Sequence, residues 1–177
     1  LYERGYVTAP LCRPSLASLA SGLYPHQTGI RGNDPVMPTG KKPTRKNPGD
    51  KELWAKMRKR MMAPFAKQPS FIKQLMANGY ATLQTGKWWE GNPLDHGFTD
   101  AMTHGDVSRG GRHGDEGLKI GRETMKPIYD FVDKAQAKDQ HFFIWYGVFL
   151  PHSPHDAPDR LYQKYKDLAP DEPTARY

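Results

Sequence analysis

The 177-residue sequence has only one cysteine, Cys12, and no apolar run that could cross a membrane. One cysteine excludes a disulfide within the chain, so cysteine usage does not identify the redox compartment. The chain begins at Leu1 without an initiator Met and shows no signal peptide. We therefore expect an internal piece of a longer protein, for which secretion is not excluded.

Internal repeats, low-complexity segments and zinc-finger spacings are also absent. Nor is there a basic stripe interleaved with aromatic residues, so we expect no nucleic-acid partner. The net charge of +7 is concentrated between Lys41 and Lys67, where ten Lys or Arg accompany only Asp50 and Glu52. This charge run favours a solvated surface or attraction of a polyanion such as a sulfated glycan. We predict that residues 34–64 form a basic surface excursion.

Alternation of helix and strand patterns predicts an α/β fold. Three helices are predicted before the first strand, at 15–21, 50–64 and 71–78. Pro14 precedes the first helix and Gly22 ends it, and Asp50 caps the second. Ser70 caps the third helix, which ends before Gly79. A further helix is predicted at 118–137. Strands are predicted at 80–85 and at 141–149, the second apolar throughout and thus expected to be buried on both faces. Residues 86–117 and 150–158 are predicted loops, the second at the edge of the sheet where ligands bind.

Cys12 opens the run Pro10-Leu-Cys-Arg-Pro-Ser-Leu-Ala-Ser-Leu-Ala-Ser-Gly22. The free N–H groups at a helix N-terminus would favour an anion beside it. A lone cysteine is most often a small buried apolar residue. Here, however, the run is followed by Tyr24-Pro25-His26-Gln27-Thr28-Gly29, and together they resemble the signature of the formylglycine-dependent sulfatases.

Two later segments resemble the same family in the same order. Gly79-Tyr-Ala-Thr-Leu-Gln-Thr-Gly-Lys-Trp-Trp89 is similar to the second sulfatase signature, and Pro151-His152-Ser153-Pro154 to its Pro-His-x-Pro loop. The resemblance extends from about Tyr6 to Tyr165, apart from the basic segment. It implies an alkaline-phosphatase-like α/β fold, with a mostly parallel central sheet flanked by helices. Residues 1–177 would then be part of one catalytic domain.

The resemblance also implies a chemistry. A maturation enzyme would oxidise Cys12 to formylglycine, and its hydrated aldehyde would attack the sulfur of a sulfate monoester of a carbohydrate or aryl alcohol. Lys87 and His152 match residues that contact sulfate. The family binds Ca²⁺, with Mg²⁺ possible; Cys12 as formylglycine would be one ligand, and the remaining ligands lie outside this chain. The family suggests a periplasmic or extracellular protein, and the piece alone is expected to be inactive.

Two positions depart from the family pattern: Leu16 stands where the family has Arg, and Trp89 where it has His. We expect Arg13, His26 and His96 to supply substrate contacts instead. The group formed by His104, Asp106, His113 and Asp115 matches no metal-binding spacing and is interpreted as a polar, substrate-facing loop. Two alternatives stay open. The protein could be a phosphoesterase or phosphonate hydrolase of the same superfamily, or an unmodified homologue that binds sulfated glycans without catalysis.

Overall fold

A three-stranded parallel sheet lies at the centre of the computed structural model, which describes residues 3–38 and 48–168. The strand order is β2-β1-β3, with β1 at Ala81–Gly86, β2 at Asp100–Ala101 and β3 at Phe142–Gly147. All six residues of β1 are buried. The parallel sheet and its flanking helices confirm the predicted α/β class.

Four helices precede β1: α1 at Cys12–Ser21, α2 at Pro25–Thr28, α3 at Pro48–Ala66 and α4 at Phe71–Ala77. Gly22 ends α1 in the left-handed conformation, with φ 73°, as its position predicted. The Ser70 hydroxyl accepts a hydrogen bond from the backbone N–H of Lys73 at 3.5 Å and so caps α4. The predicted stop and the predicted cap are both confirmed.

The bounds of α1 and α3 differ from those predicted. α1 begins at Cys12, so the cysteine is the first residue of the helix and Pro14 lies within its first turn. α3 begins at Pro48 and continues past Pro64 to Ala66. Proline lacks an N–H and so leaves one carbonyl of the previous turn without its helical partner, but the helix extends only two residues further. Residues 39–47 of the basic segment lie outside the described residues.

The segment 86–117 is more ordered than the predicted loop. It contains β2, paired with β1 at Leu83–Asp100 and Gln84–Ala101, and three short 3₁₀ helices at Pro93–His96, Val107–Arg109 and Asp115–Lys119. A two-residue strand gives no measurable alternation, and a single 3₁₀ turn gives no helical period. These elements were therefore not detectable from hydrophobic periodicity.

The helix predicted at 118–137 is shorter, because α5 spans Lys126–Gln136. Ile120 is buried but lies in a bridge with Thr124, and Gly121 has a φ of 72° that a helix does not allow. Pro127 then lies in the first turn of α5, where its missing N–H costs nothing. Proline and glycine positions decide this boundary, against the apolar spacing that suggested a longer helix.

β3 is a parallel strand, as predicted, and it pairs with β1 along its whole length. It is not buried on both faces, since Phe142 is 39% and Tyr146 50% exposed. The reason is its place at an edge of the described sheet, which leaves one side without a neighbouring strand. A last helix, α6, spans Asp159–Tyr165, and no described helix is long and apolar enough to span a bilayer.

Apolar side chains pack on both faces of β1. One cluster joins α1 and α4 to the sheet through Ala17, Ala20, Ile72, Trp88 and Trp145. The other joins α5 to β1 through Phe131, Ala81 and Leu83. Polar side chains of β1 are satisfied internally: the Thr82 hydroxyl donates to the Gly97 carbonyl and the Thr85 hydroxyl to the Trp145 carbonyl, each at 2.7 Å. This packing fixes the carboxyl ends of β1 and β3 beside the N-terminus of α1.

Candidate active site

Lys87 directly follows β1, at a point where two strands approach closely. The backbone N–H of Lys87 donates to the carbonyl of Gly147 at 2.6 Å. Gly86 has a φ of 72°, and a Cβ there would overlap the Gly147 carbonyl oxygen. Only glycine meets both requirements at this position. The backbone therefore sets the direction in which Lys87 leaves the sheet.

Cys12 and Lys87 are in contact across the end of the sheet. The Lys87 ammonium nitrogen lies 3.7 Å from the Cys12 sulfur. Cys12 is half-buried at the first position of α1, where backbone N–H groups are not used within the helix. The positive side chain of Lys87 favours negative charge at position 12.

His152 faces the same cleft as Lys87. The cleft has a volume of about 340 Å³ and is lined by Lys87, Val148, Phe149, Leu150, Pro151, His152, Ser153 and His155. The rings of Phe149 and His152 stack with centroids 4.9 Å apart, and the Lys87 ammonium lies 5.3 Å from the Phe149 centroid. His152 Nδ1 lies 2.7 Å from the Ser153 carbonyl oxygen, which suits an Nδ1–H donor. The structure thus brings Cys12, Lys87 and His152 to one edge of the sheet.

Of the other residues proposed to contact substrate, Arg13 and His96 are buried away from this cleft. Arg13 has no exposed surface and forms an ion pair with Glu90. His96 packs against Phe65 and Trp88, and its Nε2 lies 2.8 Å from the Glu90 carbonyl oxygen. Burial lowers the pKa of His96. The expectation that these two side chains contact substrate is therefore corrected, because both are enclosed in the core.

His26 is exposed in the last turn of α2, where its ring stacks on Tyr24 with centroids 5.8 Å apart. It does not line the cleft. At the two positions that depart from the family pattern, Leu16 packs against the apolar cluster beneath α1 and Trp89 is 4% exposed. Neither side chain replaces the polar group of the family at the cleft.

The structure adds His113 and Arg122 to the surroundings of Phe149. The His113 ring lies 5.9 Å from the Phe149 ring, and the Arg122 guanidinium carbon lies 5.3 Å from its centroid. Burial, with positive charges including Lys87 and His152, lowers the pKa of His113 to about 4. His113 is therefore neutral at pH 7. Neither residue has a sequence spacing that places it beside residue 149; only the path of the segment after β2 does so.

In the group formed by His104, Asp106, His113 and Asp115, three members lie together: His104 Nδ1 is 3.5 Å from a carboxylate oxygen of Asp115 and accepts the backbone N–H of Asp106 at 2.9 Å. Asp115 closes a local turn, accepting from the Thr103 hydroxyl and from the N–H of Gly105 at 3.0 Å. Asp106 caps the next turn through Ser108 at 2.9 Å. His113 lies apart from these residues, next to Trp89 and Phe149.

A metal-binding cage is not formed by the described residues, in which no three His, Cys, Asp or Glu side chains come together suitably. The carboxylate of Asp34 binds the Arg112 guanidinium instead, and the Asn33 side-chain oxygen accepts from the Arg13 N–H at 2.8 Å. A hard cation prefers six or more oxygen ligands. The described part of the chain does not fit Ca²⁺ or Mg²⁺ by itself.

Cys12, Lys87 and His152 were suggested by resemblance to one family, and they lie together at one sheet edge. A comparison of the whole chain with models of protein families points to the same family. The family model described as Sulfatase matches residues 1–177. The chain belongs to the sulfatase family. Its α/β architecture is the alkaline-phosphatase-like fold of that family.

Curated relatives of this sulfatase chain include N-acetylgalactosamine-6-sulfatase from Sus scrofa, 25% identical over 186 residues, and from Canis lupus familiaris, 24% identical over 187 residues. Each alignment covers 87% of the chain and 33% of the relative, so the chain spans about one third of their length. A crystal structure of Ps i-CgsB in complex with k-i-k-neocarrahexaose matches with a TM-score of 0.59 and 22% identity. That match covers 97% of this chain and 42% of the other, and it supports the fold.

Proposed function

We propose that the full protein hydrolyses sulfate monoesters, with Cys12, after conversion to formylglycine, at the position of the nucleophile. The observation that carries this proposal is the 3.7 Å approach of Lys87 to Cys12 beside the cleft that also contains His152. Membership of the sulfatase family supports the reaction class. The identities of the site residues are proposed from geometry and family resemblance together.

The cleft has the charge that this reaction requires. A sulfate monoester is an anion and repels an anionic nucleophile, so positive groups must offset the repulsion. Lys87 contacts the group at position 12 and lines the cleft, so a sulfate bound there would meet its positive charge, which would lower the free energy of charge developing during transfer. His152 can present its Nε2 to the ester, since Nδ1 is engaged by the Ser153 carbonyl. Formylglycine would supply an aldehyde hydrate, which splits hydrolysis into two steps.

A sulfated carbohydrate is the proposed substrate class. The two curated relatives are named for N-acetylgalactosamine-6-sulfate chemistry, and the structural neighbour contains neocarrahexaose. Phe149 gives the cleft an apolar ring face, while Lys87 and His152 provide polar contacts. An aryl sulfate stays the convenient assay substrate, because its leaving group is coloured and needs no sugar-specific contacts.

Calcium, or magnesium, is proposed as the partner ion from the family resemblance alone. Its carboxylate ligands would have to come from outside the described residues, because those residues form no suitable cluster. We assign no step to the ion. A formylglycine-generating enzyme is the proposed maturation partner, and a periplasmic or extracellular location is proposed on the same ground.

Two measurements on the full-length protein test the proposal. The first is a mass spectrum of the Cys12 peptide from the native host, in which the aldehyde is expected. The second is hydrolysis of an aryl sulfate and of the matching aryl phosphate by the wild type and by Cys12→Ala, with sulfate expected to be the better substrate and the variant inactive.

The opposite results are equally informative. Faster hydrolysis of the phosphate would favour a phosphoesterase of the same superfamily. An intact thiol in every copy, with no turnover, would reject the hydrolase and favour a homologue that binds sulfated glycans. Retention of such a protein on heparin should then be unaffected by Cys12→Ala.

A further inference from the structure

A buried ion pair joins the two segments that carry Cys12 and Lys87. Arg13 Nε donates to one carboxylate oxygen of Glu90 at 2.6 Å, and a terminal nitrogen of Arg13 donates to the other at 2.7 Å. The side chains are 0% and 3% exposed. Two parallel bonds to one carboxylate fix both the distance and the relative orientation of the groups.

The pair lies next to the candidate catalytic contact in sequence and in space. Arg13 directly follows Cys12 in the first turn of α1, and Glu90 comes three residues after Lys87. Any shift of α1 relative to the end of β1 would therefore strain the pair. The other contacts between these segments include apolar packing of Ala17 and Ala20 in the cluster that contains Trp88, and apolar burial is not directional.

Further hydrogen bonds surround the ion pair of Arg13 and Glu90. Arg13 also donates to the Met61 carbonyl of α3 at 2.9 Å, and its backbone N–H donates to the Asn33 side chain at 2.8 Å. Arg58, also from α3, donates to the Trp89 carbonyl at 2.5 Å. The residues that directly follow Cys12 and Lys87 are thus bonded through buried guanidinium groups.

We propose that Arg13 and Glu90 are positioning residues, whose bidentate ion pair keeps Cys12 and Lys87 in contact. Neither side chain lines the cleft, so their effect acts through the two residues that they place. The catalytic meaning of this placement rests on the proposed function. The placement itself can be measured without turnover.

The test is a double-mutant cycle on the full-length protein, produced in a host that leaves Cys12 unmodified. The rate of alkylation of Cys12 by iodoacetamide, a neutral reagent, is measured at pH 7.5 in the wild type, Lys87→Met, Arg13→Lys and the double variant. A nearby ammonium stabilises the thiolate that reacts. Lysine retains the charge of Arg13 but cannot form two parallel bonds to Glu90.

We expect Lys87→Met to slow alkylation about fivefold or more in the wild-type background. In the Arg13→Lys background the same substitution should slow it less than about twofold. This difference would be a coupling between Lys87 and Arg13, two residues that do not touch. Arg112→Lys provides a matched control, because Arg112 forms the corresponding two-bond pair with Asp34 at a half-exposed site. In that background the full effect of Lys87→Met should remain.

Equal effects of Lys87→Met in the wild-type and Arg13→Lys backgrounds would overturn the inference. So would the absence of an effect in the wild type, since the contact to be positioned would then not exist. If Arg13→Lys does not unfold cooperatively, Glu90→Asp replaces it, because aspartate retains the charge and shortens the reach by one methylene. If the natural protein has no sulfatase activity, the proposed function is rejected. The alkylation measurement still tests the positioning role of Arg13 and Glu90, because it does not depend on turnover.

Discussion

Lys87 and Cys12 touch through an ammonium–sulfur contact of 3.7 Å, although 75 positions separate them in the chain. The contact forms because α1 begins at Cys12 and β1 ends one residue before Lys87. Both termini lie at the edge where α/β proteins bind ligands.

Lys87→Met should reduce kcat/KM for an aryl sulfate by about 100-fold or more, the usual result of removing one positioned charge or donor from a transition state. Lys87 is only half-buried and satisfies no core carboxylate, so the unfolding midpoint should change little. Steady-state kinetics and urea unfolding of the full-length protein check this prediction. Lys126→Met, which removes a lysine from an exposed ion pair with Asp130 of α5, is the control and should leave kcat/KM unaffected. Unchanged turnover in Lys87→Met would remove the residue from the site.

The sequence singles out three residues that the structure brings to one sheet edge, because each follows or precedes a recognisable element. Cys12 opens a small-residue helix that Gly22 closes, and Lys87 follows a strand and a glycine. His152 stands in a Pro-rich loop after an apolar strand. Such positions depend on local patterns, which a single sequence displays.

The burial of Arg13 and His96 could not be predicted in the same way. Both are polar residues whose usual location is the surface or an active site, and only tertiary contacts decide otherwise. Arg13 is buried because Glu90 approaches it from 77 positions away. The sequence predicts a polar loop around His113, whereas its ring packs between Trp89 and Phe149. Long-range pairing of this kind has no periodic signal in the sequence.

Glu90→Ala should lower the free energy of unfolding by about 3–5 kcal/mol, the usual cost of removing one partner of a buried ion pair. Arg13 and Arg58 would then carry buried positive charges without the nearby carboxylate. Burial already lowers the pKa of Arg58 to about 10, which indicates how poorly solvated this region is. Urea unfolding followed by circular dichroism measures the difference.

Asp34→Ala is the matched control for that substitution. Its partner Arg112 is 38% exposed and Asp34 itself 36%, so water screens the charge that remains. We expect a loss of at most about 1 kcal/mol for this variant. If Glu90→Ala and Asp34→Ala lowered the free energy of unfolding equally, burial would not be the reason that the pair of Arg13 and Glu90 stabilises the fold.

Gly86→Ala should prevent correct pairing of β1 with β3, because the added methyl group would overlap the Gly147 carbonyl oxygen. Gly22→Ala serves as the control, since Gly22 has nearly the same φ, 73° against 72°, but open space around it. That control isolates the left-handed strain, which costs about 1–2 kcal/mol. Soluble yield and unfolding midpoint should fall much further for Gly86→Ala. Similar losses in the two variants would show that strain alone, without the steric overlap, explains the glycine at position 86.

Acidification from pH 7.5 to 5.0 should destabilise the wild type partly through His113. Its pKa is lowered from 6.5 to about 4 in the folded protein, so the unfolded chain binds a proton that the folded chain does not. The stability associated with neutral His113 is complete above pH 6.5 and is lost as the pH falls towards 4. His113→Gln should therefore show a smaller decrease in its urea midpoint over this interval. Some decrease should persist, because burial also lowers the pKa of His96. His26→Gln alters an exposed histidine and is the control, so its urea midpoint should decrease as much as that of the wild type. If the urea midpoint of His113→Gln also decreased by the full wild-type amount, His113 would not be kept neutral by its surroundings.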